Sequence, residues 1–226
     1  MIDVFPTPLV APAKTILGIF NVCVEFFFYL NLYLVKITNV FTDKNLLMIM
    51  SKNGLTIVYT GKGKGKTTAA LGIALRATGY KKKICMIQFI KGSWHYGEME
   101  SSKRLEPEFE MVAIGKGFVG IIDDKSPKED HQKIAKEAIR ISNEKIQSDK
   151  YDIVILDEIN YAVNLNLISL DDVLDLIKSK PENVDLVLTG NYAKEEVIEA
   201  ADLVTEMKEI KHPFQKGIKA KEGIDF

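Results

Sequence analysis

The stretch TGKGKGKTT, residues 60–68, combines the residue types from which phosphate-binding loops are built. Alternating glycines let the backbone curl so that its N–H groups converge on an anion. Lys66 is long enough to reach phosphate oxygens, and the Thr67 hydroxyl is suited to ligate Mg²⁺. The candidate nucleotide-binding residues of the loop are Gly61, Lys62, Gly63, Lys64, Gly65, Lys66, Thr67 and Thr68. The strict motif has glycine where this chain has Thr60, but a strand-like segment before the loop and a helix-like one after it supply the expected context.

A second candidate cluster ends an apolar stretch, YDIVILDE at 151–158, whose last residues are Asp157 and Glu158. Ligands of open parallel sheets gather at the carboxyl ends of the strands, so these acids are expected to face the loop. Because Mg²⁺ prefers oxygen ligands, Thr67, Asp157 and Glu158 are the candidate metal-binding residues. The alternative is an acidic strand end that is simply solvated.

Residue types alone leave the chemistry open between a P-loop hydrolase and a nucleotide-using transferase. A hydrolase positions a water at the γ-phosphate and often uses an arginine finger. Arginines are scarce here, and Arg76 lies on the helix-like segment that follows the loop. A phosphate contact and an ordinary solvated helix arginine are both open interpretations of Arg76.

The elements that must position these residues alternate between strand-like and helix-like segments. Apolar strands are predicted at 55–60, 83–90, 109–115, 151–158, 184–190 and 202–207, with helices between nearly all of them. Ser126, with Pro127 and Glu129, predicts the start of a helix with an apolar stripe at Ile134, Ala138 and Ile141, and Ser169 with Asp172 predicts another start. The pattern is typical of an α/β fold, P-loop NTPase-like (RecA-like), with a mostly parallel sheet and helices on both faces.

Composition excludes some functional classes. The formal net charge of −1 over 226 residues gives no basic surface for nucleic acid. Cys85 lies in an apolar strand-like run, far from Cys23, so a buried free thiol and a reducing cytoplasm are expected. The three histidines lack metal-ligand spacing, which argues against zinc.

The N-terminal segment, residues 1–50, differs from the predicted domain at 51–226. Residues 16–35 are apolar over about the length of a membrane span but contain Glu25 and two asparagines. A membrane anchor, a partner-binding helix and an extension that the domain does not need are the three interpretations. We favour the dispensable extension, or an upstream start, because Met48 and Met50 stand just before the predicted domain.

Four motifs occur in order outside and around the loop: TGKGKGKTTAALGIALRATG, QFIKGSWHYGE, LDEINYAV and KHPFQKGIKAKEGIDF. Together they resemble the P-loop type of ATP:corrinoid adenosyltransferase over residues 53–226. The tail GIKAKEGIDF and the KGSWHYGE loop are more specific than a phosphate loop alone. The rival hypotheses are an ATP-hydrolysing P-loop NTPase acting as a switch or assembly factor, and a membrane-tethered nucleotide-binding module.

The resemblance implies transfer of the 5′-deoxyadenosyl group of ATP to cobalt(I) of a corrinoid, with release of triphosphate. It implies catalytic roles for Lys66, Thr67 and Glu158, a place beside the corrinoid for Phe118, and a binding role for Trp94, whose alternative is packing within its loop. ATP and a corrinoid would be the substrates and Mg²⁺ the cofactor, in a cytoplasmic homodimer. An electron-donating flavoprotein is a conceivable partner; nucleic acid is not expected, and membrane contact through 16–35 is not favoured. The chain departs from the family at Gly120, where some members have tryptophan, and at Asn191, where many have arginine.

Overall fold

The computed structural model describes residues 53–90, 95–114 and 127–226. In this part of the chain, five-residue strands alternate with helices, except for a shorter last strand. The strands are β1 (Thr56–Thr60), β2 (Ile84–Gln88), β3 (Phe109–Ala113), β4 (Ile153–Asp157), β5 (Asp185–Thr189) and β6 (Leu203–Glu206). The helices are α1 (Lys66–Thr78), α2 (Gly97–Lys103), α3 (Lys128–Gln147), α4 (Ile159–Asn164), α5 (Leu170–Ser179) and α6 (Glu195–Glu199), followed by a 3₁₀ turn at Pro213–Lys216.

The described strands form one sheet in the order β3-β2-β4-β5-β1-β6, and every neighbouring pair is parallel. Parallel strands need crossover connections, and the helices supply them. All six carboxyl ends therefore meet at one edge of the sheet, where the loop after β1 and the acids after β4 lie. The predicted α/β fold with a parallel sheet is confirmed.

The core lies on both faces of the sheet. On one face, Ala70 and Ala74 of α1 pack with Met86 and Ile155. On the other face, helices α3 to α6 cover a larger cluster that includes Leu156 and Leu188. Alternate residues of β2 and β4 thus point into two separate apolar layers, which explains why these strands read as continuous hydrophobic runs.

The sequence predicted the starts of two helices, α3 and α5, and an apolar stripe on α3. The α3 helix begins at Lys128 after Pro127, and Ser126, its predicted cap, lies outside the described residues. Its buried face is centred on Ala135 and Ala138, whereas Ile134 and Ile141 are only half-buried. The predicted capping box of α5 is present, since Ser169 Oγ accepts from the Asp172 amide at 3.1 Å.

Strand β6 is exposed along its whole length, contrary to the expectation of strands buried on both faces. The reason is its place at the sheet edge, with β1 as its partner on one side. Among the described residues, no helix has the length and apolar character to cross a membrane. Residues 16–35, for which membrane contact was considered, lie outside the described part of the chain.

Candidate nucleotide-binding site

The loop between β1 and α1 is held by the chain that follows β6. The Gly63 amide donates to the Met207 carbonyl at 2.6 Å, and the Met207 amide donates to the Thr60 carbonyl at 2.8 Å. A Cβ at position 63 would lie 2.7 Å from the Met207 oxygen, so only glycine allows this close approach. Gly65 has φ +112°, a left-handed conformation that turns the loop directly into α1. The glycines therefore shape the loop before any ligand is considered.

Lys66, the first residue of α1, is held inside the loop. Its Nζ donates to the carbonyls of Gly61 and Gly63, each at 2.8 Å, and the residue is 9% exposed. Burial lowers the pKa of the Lys66 ammonium, while the nearby Glu158 and Asp157 carboxylates act in the opposite direction. No side chain among the described residues caps the first turn of α1, and that turn holds no acid. An anion there would gain from both the ammonium and the helix dipole.

Asp157, at the end of β4, is fully buried and joins three elements to the loop. Its Oδ1 accepts hydrogen bonds from the hydroxyls of Thr67, at 2.9 Å, and Thr189, at 2.7 Å. Its Oδ2 accepts a longer bond from Gln88 Nε2 at 3.3 Å. These donors stabilise a buried carboxylate that would otherwise be costly. The acid is thereby fixed beside the hydroxyl that the sequence assigned to Mg²⁺.

Glu158 follows in a left-handed conformation, with φ +63°, as the cap of α4. Its amide donates to Thr189 Oγ1 at 2.9 Å, so the same threonine holds both acids. Glu158 is the turn residue between β4 and α4. It lines a cavity, whereas the preceding Asp157 is buried. The two carboxylates consequently occupy different environments.

An open cavity of about 630 Å³ extends from the loop along the flank of α1. Its polar end is formed by Lys66, Thr67, Thr68 and Glu158. Its remaining walls come from α1, from α2 with Tyr96, from the β3 region, and from the last residues of the chain. A cavity that joins a phosphate loop to apolar walls fits a nucleotide better than a free phosphate.

Comparison with known proteins decides between the families that use such a loop. Residues 52–226 match the model of the ATP:corrinoid adenosyltransferase family BtuR/CobO/CobP. The chain belongs to this family. It is 34% identical over 184 residues to the corrinoid adenosyltransferase of Escherichia coli strain K12, covering 81% of this chain and 91% of that protein. It is 40% identical over 186 residues to the corrinoid adenosyltransferase of a Sinorhizobium species, covering 81% and 86%.

Membership of the adenosyltransferase family makes the chain a transferase and confirms the resemblance seen in the motifs. A solved structure, the KaiC-like protein PH0186 of Pyrococcus horikoshii OT3, aligns over 68% of this chain and 72% of its own with 15% identity. The TM-score of that alignment, 0.42, is too low to support any functional conclusion.

Of the other residues that the sequence singled out, some lie at the loop, one lies away from it, and some are outside the described residues. Lys62 and Thr68 are exposed at the loop, and Lys64 forms an ion pair with Asp225. Arg76 is exposed in the last turn of α1, about 15 Å along the helix axis from Lys66, so the structure does not bring it to the loop. Trp94, Phe118 and Gly120 lie outside the described residues.

Several residues that complete the adenosyltransferase site were missed by sequence reasoning. Thr189 and Gln88 end the two strands that flank β4, so their positions followed from strand order, which the sequence did not specify. Thr60, the departure from the strict motif, accepts a hydrogen bond from the Ala193 amide at 3.1 Å and ties the loop to the chain after β5. The role of Met207 could not be predicted from its residue type, because its contacts with the loop use backbone atoms.

The donor set fits Mg²⁺. Thr67 and Glu158 supply oxygen atoms at the polar end of the cavity, and the buried Asp157 accepts from the Thr67 hydroxyl behind it. Mg²⁺ usually takes few protein ligands alongside phosphates and waters. Among the described residues, no group of three or more histidine, cysteine or acidic side chains forms an all-protein metal site.

Proposed function

We propose that this adenosyltransferase moves the 5′-deoxyadenosyl group of ATP to cobalt(I) of a corrinoid and releases triphosphate, in adenosylcobalamin biosynthesis or salvage. The observation that carries the proposal is the convergence of Lys66, Thr67 and Glu158 at one end of the cavity, with the buried Asp157 bonded to the Thr67 hydroxyl. The chain that carries this arrangement matches the family over residues 52–226. The substrate cobalt supplies the electron pair, so the protein provides no covalent nucleophile. Its work is to place the ATP 5′-carbon in line with cobalt and to stabilise the leaving triphosphate.

The phosphate loop performs the second task. The N-terminus of α1 directs its dipole at the triphosphate, and the Lys66 ammonium is already placed by two loop carbonyls. Burial disfavours that charge, and a bound polyanion offsets the cost. The charge that develops on the departing triphosphate therefore meets donors that need little rearrangement.

The Mg²⁺ ion would be held by Thr67 and Asp157, directly or through water, with Glu158 on the cavity side. When bound, the ion neutralises phosphate charge. Asp157 keeps the Thr67 hydroxyl oriented, and Thr189 keeps Asp157 in place. Catalytic roles for Lys66, Thr67 and Glu158 are part of the proposal.

The corrinoid side of the reaction rests on the family alone. Trp94 and Phe118 are proposed to contact the corrinoid, with Phe118 beside the face from which the lower ligand is removed. Some members have tryptophan where this chain has Gly120, so a different side chain must fill that face here. The proposed corrinoid substrate is cobalamin, cobinamide or cobyrinic acid a,c-diamide.

The proposal also covers the location, oligomeric state and electron donor of the enzyme, and the role of residues 1–50. A cytoplasmic homodimer that receives electrons from a flavoprotein is consistent with the family and with the free, buried Cys85. Residues 1–50 are proposed to be dispensable for transfer, because the family match begins at residue 52. A variant that starts at Met50 should keep the transfer rate, and loss of transfer in it would favour the tethered-module hypothesis.

The test is an anaerobic assay with ATP, Mg²⁺ and chemically reduced cobalamin or cobinamide. We expect the cobalt(I) absorbance to disappear as a light-sensitive alkyl corrinoid forms, and we expect Lys66→Ala to slow this by orders of magnitude. Persistence of the cobalt(I) band with every corrinoid, in a protein that binds ATP, would contradict the proposed function.

A further inference from the structure

The last six residues, Lys221–Phe226, form a closed turn that we call the C-terminal segment. The amides of Ile224 and Asp225 donate to the Lys221 carbonyl at 3.1 and 2.8 Å. In return, the Lys221 amide donates to Asp225 Oδ2 at 2.8 Å, and the Gly223 amide donates to the Phe226 carbonyl at 2.8 Å. Its own hydrogen bonds thus give the end of the chain a defined shape.

One ion pair connects this segment to the phosphate loop. Asp225 Oδ1 accepts from Lys64 Nζ, 161 residues away in sequence. Lys64 lies between Gly63 and Gly65, the two glycines whose geometry fixes the loop. The pair therefore seats the C-terminal segment directly beside the phosphate-binding residues.

The seated segment contributes apolar walls to the cavity. Ile224 and Phe226 line it together with Leu71 and Leu75 of α1 and with Leu105. Ile224 is 64% exposed, Leu75 63% and Phe226 44%, although each is a large apolar side chain. Exposed apolar side chains gathered around a cavity mark a ligand surface.

The position of this apolar surface, next to the phosphate-binding end of the cavity, indicates which ligand it contacts. The polar end of the cavity, at Lys66 and Thr67, suits a triphosphate, so the remainder of the same molecule must extend along the adjoining walls. A purine base is flat, and an aromatic ring and branched aliphatic side chains are suitable partners for its faces. The loop and the walls together have the polarity of a nucleoside triphosphate.

We infer that the C-terminal segment is a wall of the nucleotide site, with Phe226 and Ile224 contacting the nucleoside of ATP and Asp225 positioning them through Lys64. This inference rests on the proposed function insofar as that names ATP as the ligand. It adds a base-contacting element that a phosphate loop does not supply. The chain's last residues are then required for affinity toward ATP but not toward the phosphates alone.

The experiment compares the Kd of ATP with that of inorganic triphosphate, both with Mg²⁺, by calorimetry on the full chain. Phe226→Ala should weaken ATP roughly tenfold, the size expected for one lost base–aromatic contact, and leave triphosphate within about twofold. Asp225→Asn should weaken ATP in the same direction by about threefold. Glu222→Gln removes the same charge from the same exposed segment and should change neither Kd.

Two outcomes overturn the inference. Equal weakening of ATP and triphosphate in Phe226→Ala would mean that the segment acts on the loop rather than on the nucleoside. Unchanged Kd values for both ligands would mean that the segment does not touch the nucleotide. Failure of corrinoid adenosylation in the wild type, alongside the expected Kd pattern, would remove the proposed function and leave this inference standing.

Discussion

Thr67 Oγ1 donates a hydrogen bond of 2.9 Å to Asp157 Oδ1, joining the phosphate loop to the end of β4 across 90 residues of sequence. The same carboxylate oxygen accepts from Thr189, and the fully buried acid accepts from Gln88 as well. Asp157 therefore has two structural roles. It orients the Thr67 hydroxyl assigned to Mg²⁺, and it joins strands β2, β4 and β5 at their carboxyl ends.

Asp157→Asn tests both of these roles. The change keeps the shape of the side chain but removes the charge, so the Mg²⁺-dependent part of ATP affinity should be lost and the transfer rate should fall about 100-fold or more. The free energy of unfolding should fall by about 1–3 kcal/mol, since a buried hydrogen-bonded charge is removed. Calorimetric titration of ATP with and without Mg²⁺, and urea unfolding, measure the two effects.

Thr189→Val is the matched variant, because it removes a donor to Asp157 and the acceptor of the Glu158 amide while the Asp157 carboxylate stays. It should cost about 1–3 kcal/mol of unfolding free energy and retain Mg²⁺-dependent ATP binding. Wild-type Mg²⁺ dependence in Asp157→Asn would rule out the assigned role of this acid.

Gly63→Ala tests the tie between the loop and the segment after β6. The new Cβ would lie 2.7 Å from the Met207 carbonyl oxygen, so backbone must shift and ATP affinity should fall about tenfold or more. Gly72→Ala is the control within α1, where nothing lies within 4 Å of the added Cβ. There the helix should gain about 0.5–1 kcal/mol, seen as a higher Tm. An alanine at 63 with unaltered ATP affinity would show that the close approach does not matter.

Cys85 should be unreactive in the folded protein. Its side chain is fully buried, and burial raises the pKa of the thiol to about 12. At pH 8 only about one thiol in ten thousand would be ionised, even before its inaccessibility is considered. In the Cys23→Ser background, a disulfide reagent should label Cys85 at the rate of unfolding, and at once in guanidinium chloride. Stoichiometric labelling within minutes under native conditions would contradict this burial.

Some of this site could be predicted from the sequence because it depends on local patterns. The apolar run before Gly61 and the helical pattern after Lys66 locate a strand, a loop and a helix without any long-range information. The apolar stretch that ends in Asp157 identifies a buried strand, and the geometry of parallel sheets places its end near the loop. These arguments use chain order and periodicity alone.

The remaining features depend on contacts between distant segments. Strand order determines that Thr189 and Gln88 flank Asp157, and no local pattern encodes that order. The Met207 contact uses backbone atoms, so any residue type could make it. Arg76 lies near the loop in sequence, but the helix places its backbone about 15 Å along the axis from Lys66, a separation that follows from helix geometry.

The identity of the phosphate product tests the central claim most directly. ATP, Mg²⁺ and reduced corrinoid would be incubated anaerobically with the protein, and the products followed by phosphorus NMR. Cobalt attack at the 5′-carbon predicts intact inorganic triphosphate, one molecule for each corrinoid alkylated. ADP and orthophosphate, formed equally well without corrinoid, would contradict the account and identify a hydrolase instead.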